Sequence, residues 1–73
     1  MNEKEIFLKW KMATKTCVMH VYFELTDGTV KSIKCSFLGD YNRDLIIEQM
    51  RIVAKKSNFK KWLTPNDLKK INI

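Results

Sequence analysis

Between Cys17 and Phe37 apolar and polar positions alternate along two runs, CVMHVYFEL and TVKSIKCSF, separated by Thr26, Asp27 and Gly28. Alternation with β-branched and aromatic residues is the pattern of a half-buried strand, so the stretch predicts an antiparallel hairpin. The length of its loop follows from register. A two-residue loop at Asp27-Gly28 sets Phe23 against Ser32 and Val21 against Lys34, which mixes apolar with polar. A three-residue loop sets Val21 against Ile33, Met19 against Cys35 and Cys17 against Phe37. One face then becomes apolar and the other polar, so the longer loop is expected, with Gly28 in the left-handed position.

The first segment alternates as well: Ile6, Leu8, Trp10 and Met12 are separated by Phe7, Lys9 and Lys11. Asn2 followed by Glu5 is also compatible with a capped helix. Pairing decides for a strand. A loop over residues 13–16 sets Met12, Trp10, Leu8 and Ile6 opposite Cys17, Met19, Val21 and Phe23, which extends the apolar face. From Asn42 to about Ser57 the period changes. Ile46, Ile47, Met50, Val53 and Ala54 share one stripe at 100° per residue, opposite Asp44, Glu48, Arg51 and Lys55. Leu45 and Ile52 fall outside that stripe, seven residues apart. The last segment, FKKWLTPNDLKKINI, is expected to cover them. Thr64, Pro65 and Asp67 start a short helix there, and Trp62 is expected beside Leu45 or Ile52. The fold class is α+β: a three-stranded antiparallel β-meander packed against one α-helix, with a short C-terminal helix.

Length limits the chain to one small domain over residues 1–73, with a modest core. No stretch has the length of a membrane span, and MNEKEIFLKW is not a secretory signal, so a cytoplasmic location is expected. The formal charge of +6 is unevenly spread. Acids and bases balance over residues 1–30, so the whole excess falls in residues 31–73. This asymmetry favours a polyanionic or acidic partner. Within MRIVAKKSNFKKWL, Ile52, Phe59 and Trp62 read as a second core layer with the cations as its rim. Twelve of the fourteen cations are Lys, so little base-specific reading is expected.

Enzyme motifs are lacking. There is one His, no phosphate-binding loop and no paired carboxylates at a working spacing, so a non-catalytic protein without metal or cofactor is expected. Cys17 and Cys35 point to the core face in the chosen register and His20 to the other. They form no tetrahedral set, and two buried reduced thiols are expected. The polar face of the sheet carries more. The registers set Lys9 opposite His20 and His20 opposite Lys34, with Phe7 and Tyr22 in the next row and Lys11 on the flank. Cations beside exposed aromatics suit a sugar-phosphate backbone with stacked bases. Nucleic acid is thus the first expected partner, held by Phe7, Lys9, Lys11, His20, Tyr22 and Lys34, with Lys60 and Lys61 adding long-range attraction. The alternative is a protein-binding module, such as an inhibitor or accessory factor of a mobile element. It would act on an acidic protein, or as a homodimer through Leu45 and Ile52 if the C-terminal segment leaves them bare.

Overall fold

The computed structural model describes residues 2–71. The elements are α1 (Glu3–Ala13), β1 (Val18–Leu25), β2 (Val30–Ser36), α2 (Arg43–Ala54), β3 (Phe59–Trp62) and α3 (Pro65–Ile71). The three strands form one antiparallel sheet in the order β2-β1-β3. The α+β class, the three-stranded antiparallel sheet and the short final helix are those the sequence predicts.

The hairpin has the expected register: Val21 faces Ile33, Met19 faces Cys35, Tyr22 faces Ser32 and His20 faces Lys34. Its loop is Thr26-Asp27-Gly28. The Leu25 N–H donates to the Thr29 carbonyl at 2.8 Å, and Gly28 turns the chain at φ +89°, a conformation costly for any side chain. The Asp27 carboxylate accepts from the Thr29 N–H at 2.9 Å and ties the turn together.

Residues 6–12 are not a strand. They lie in α1, capped by Asn2, whose side-chain oxygen accepts from the Glu5 N–H at 2.9 Å. Glu3 and Glu5 in the first turn and Lys11 in the last suit the helix dipole. Ile6, Phe7 and Trp10 fall on one side of this helix and are buried, while Leu8 and Met12, which the alternation paired with them, face outward. The place beside β1 is taken by β3, with Phe23 opposite Trp62 and Leu25 opposite Phe59 across a bulge. The wrong assignment has a plain cause. Four residues are too short to show a period, whereas seven alternating ones show a persuasive one.

The helices α1 and α2 lie antiparallel over the Met19–Val21 face. Glu3 at the start of α1 meets Arg51 near the end of α2 at 4.0 Å, and Lys11 near the end of α1 lies over Tyr41, just before α2. The core is built from Ile6, Phe7 and Trp10 of α1, Met19 and Val21 of β1, Cys35 of β2, and Ile47 and Met50 of α2. The amphipathic stripe expected for α2 is therefore the one that packs. The final helix begins as the sequence indicates. The Asp67 N–H donates to Thr64 Oγ1 at 3.2 Å and the Thr64 N–H to the Asp67 carboxylate at 3.0 Å.

The C-terminal segment does not cover Leu45 and Ile52. Trp62 packs against Phe23 and Phe59 and donates its indole N–H to Glu3 at 3.0 Å. Its aromatic residues are spent on the sheet and on α1, because the segment supplies a strand. Leu45 and Ile52 stay 62% and 54% exposed.

Candidate functional site

The row of three basic side chains expected on the polar sheet face is reduced to two. His20 and Lys34 do oppose each other there, both exposed, with Ser32 and Ser36 beside them. Lys9 is exposed on α1 and belongs to no strand. Phe7, expected as an exposed stacking ring, has no exposed surface at all and sits in the core. Tyr22 is half-buried. Its ring centroid lies 5.2 Å from that of Trp10, which occupies one of its sides, and 6.2 Å from that of His20. Trp10 is held there by its indole N–H, which donates to the Leu63 carbonyl at 2.7 Å, while the Leu63 N–H donates to the Tyr22 carbonyl at 3.0 Å.

Lys11 has a different occupation. Its ammonium lies 4.4 Å from the Phe37 ring centroid and 5.4 Å from that of Tyr41, and these two rings meet edge to face. The contact joins the end of α1 to the segment before α2 by cation–π attraction. Burial without a hydrogen-bond partner for its hydroxyl pushes the Tyr41 phenol up. Lys60 and Lys61 are exposed on β3, where both lie near Glu24: Lys61 is its cross-strand partner, and the Lys60 ammonium is 3.5 Å from its carboxylate. Part of the attraction expected of Lys60 and Lys61 is thus neutralised locally.

Cys35 is buried, and burial pushes its thiol up, whereas Cys17 is exposed just ahead of β1, against the expectation of two buried thiols. Its carbonyl still accepts from the Phe37 N–H at 2.8 Å, so the register extends to Cys17 but the helices do not cover it. Among the described residues no three His, Cys, Asp or Glu side chains gather where a metal could bind, and no helix is long and apolar enough to cross a membrane. An open cleft of about 490 Å³ lies where Lys9, Met12 and Ala13 of α1 meet Thr64, Pro65 and Asn66. Its single ionisable side chain has no acidic or basic counterpart for proton transfer.

The second helix presents what the sheet face has lost. Leu45 and Ile52 are two turns apart on the side opposite Ile47 and Met50, so they share one outward line with Gln49. Arg51 on one flank is 3.6 Å from Glu48 and shared with Glu3, while Lys55, the C-cap, and Lys56 follow the helix end in solvent. On the neighbouring helix Leu8 and Met12, four residues apart, are also exposed. The sequence did signal the α2 line, since Leu45 and Ile52 fitted no core stripe. What it did not show was that the last segment is needed elsewhere. Comparison with protein-family models, with curated proteins and with solved structures found no match for this chain.

Proposed function

We propose that this is a non-catalytic binding protein whose partner is an acidic protein, docked on the outward face of α2. The observation that carries the reading is the exposure of Leu45 and Ile52 on a helix whose other face is already committed to the core. Two isolated surface leucines would need no explanation. Here the two apolar residues share one line, and the helix is followed directly by Lys55 and Lys56 within the half of the chain that holds all of the net charge. An apolar anchor with a cationic rim suits a complementary acidic surface. The rim speeds encounter and the anchor supplies the lasting affinity.

The nucleic-acid reading is the second one. It is supported by the exposed His20–Lys34 pair with Ser32 and Ser36 around it. It is weakened by the burial of Phe7 and by the packing of Trp10 on Tyr22, which remove the stacking rings.

One set of variants separates the two. Tagged wild type, the double variant Leu45→Asp/Ile52→Asp and Lys34→Ala are used for capture from the native host, washed in high salt, and titrated with a fluorescent single strand and a duplex. On the protein reading, an acidic protein survives the wash with wild type and Lys34→Ala and is lost with the double variant, and no oligonucleotide binds at near-physiological salt. Oligonucleotide binding that Lys34→Ala weakens, with a slope of log affinity on log salt of about −2 or steeper, overturns it in favour of phosphate contacts by the sheet.

A further inference from the structure

A second surface stands apart from the outward Leu45–Ile52 line of α2. The strand β2 is at the edge of the sheet, and of the other elements only β1 packs extensively against it. Hydrogen-bond parity identifies its free groups. The Leu25 N–H bonds to the Thr29 carbonyl and the Phe37 N–H to the Cys17 carbonyl, so the hydrogen-bonded pairs of this ladder use the odd-numbered residues of β2. Lys31, Ile33 and Cys35 therefore spend their backbone groups on β1. Those of Val30, Ser32, Lys34 and Ser36 point away from the sheet.

Natural edges are usually short, bulged, interrupted by proline or covered. This one runs for seven residues, contains no proline, and keeps one register against β1 along its whole length. Its protection is charge alone. Lys31 and Lys34 are both exposed, and a second copy bringing the same residues and another +6 would be repelled. A strand carrying acids would be attracted instead. On the outer face it would find Lys34, with His20 next to it across the ladder. On the inner face it would meet half-buried Ile33 and then Lys31, which shares a cleft of about 90 Å³ with Val53 of α2 and with Lys56 beyond the helix end.

We propose that the free edge of β2 is a strand-addition site for an extended, acidic segment of a partner protein, with acids toward Lys34 and apolar side chains toward Ile33. Main-chain hydrogen bonds from Ser32 and Lys34 supply affinity, and the alternating side chains supply selectivity. The inference shares the acidic partner with the α2 reading but rests on Ser32, Ile33 and Lys34 rather than on Leu45 and Ile52, so the two fail separately.

The probe is an end-blocked peptide of about ten residues alternating Glu and Val, long enough to span β2. Its lysine counterpart serves as control. Binding is followed by calorimetry and by amide hydrogen exchange of the full chain. The Glu peptide is expected to bind and to slow exchange at Val30, Ser32, Lys34 and Ser36, and the Lys peptide is expected not to bind. Ser32→Pro removes an N–H that β1 does not use, at a position where an edge strand tolerates proline. It should keep the wild-type melting transition and weaken the Glu peptide at least ~10-fold, a difference of about 1.4 kcal/mol. Lys34→Glu leaves the backbone intact and should weaken it as well, while Leu45→Asp/Ile52→Asp should not. Absence of Glu-peptide binding at about 1 mM overturns the proposal. So does equal binding to a folded Ser32→Pro variant, which would mark the attraction as diffuse charge. A dimer in sedimentation without peptide, with the same amides protected, would show that the edge belongs to a second copy, and likewise overturns it.

Discussion

Trp10 joins two distant parts of this fold. Its ring is buried beside Tyr22, and its N–H meets the Leu63 carbonyl at the point where β3 has just ended. It thereby ties the first helix to the last strand, 53 positions away. Trp10→Ala should cost about 3–5 kcal/mol, close to the whole stability expected of so small a domain. Trp10→Phe keeps most of the packing and leaves the Leu63 carbonyl unmet, which should cost about 1–3 kcal/mol. Chemical denaturation of both variants checks the order. Equal, small losses would mean that α1 is held without its tryptophan. At this scale the sequence was legible only in part. That Trp10 is a core residue follows from the alternation, but its partner depends on which chain segment lies beside β1.

Among the elements, β3 and α3 form the least self-sufficient part and are nevertheless indispensable. Phe59 and Trp62 line the sheet beside Phe23, Leu63 is fully buried, and the Thr64–Asp67 capping box starts the helix that packs on α1. A chain ending at Asn58 is expected to lose cooperative thermal unfolding, because β1 is left with one neighbour and α1 without its anchor at Leu63. A truncated protein that still melts cooperatively would mean that residues 59–71 dock on an already complete domain. The hairpin and α2 were readable in advance because their signals are local: a turn with Gly28, an alternation with one consistent register, a stripe at helical spacing. The third strand was not. Residues 6–12 satisfy both periods, since Ile6 and Trp10 fall on the core side of a strand and of a helix alike, and Phe7, Leu8 and Met12 exchange faces between the two.

For the whole molecule, charge sets the response to solution conditions. The ion pairs lie at the surface, each with an exposed Lys or Arg, and contribute little each. Among the described residues, Asp27 and Asp67 are held below the ordinary aspartate range, each chiefly by a backbone N–H, from Thr29 and Thr64 respectively. A value depressed in the folded state means that both groups stabilise the fold above the unfolded aspartate value. That contribution is lost as pH falls through the folded values. The urea midpoint should therefore hold between about pH 6 and pH 8 and fall below about pH 4. In Asp67→Asn, which keeps the hydrogen bond to Thr64 without the titration, the acid drop should be smaller. A midpoint insensitive to acid would show that neither carboxyl is linked to folding.

What the sequence determined by itself is whatever short-range geometry dictates. The Thr26–Gly28 turn sets the register of β1 on β2, Asn42 and the Ile47–Met50 stripe set α2, and Thr64, Pro65 and Asp67 set the start of α3. The excess positive charge of residues 31–73 belongs to the same class. Only the tertiary structure decided which segment completes the sheet, because two segments competed for one place beside β1, and the energetic difference lay in contacts between residues more than fifty positions apart. That choice moved Phe7 from the surface to the core and Lys9 from a strand to a helix, and it left Leu45 and Ile52 bare. The candidate surfaces followed the fold because exposure belongs to the packed chain, and no window of sequence contains it.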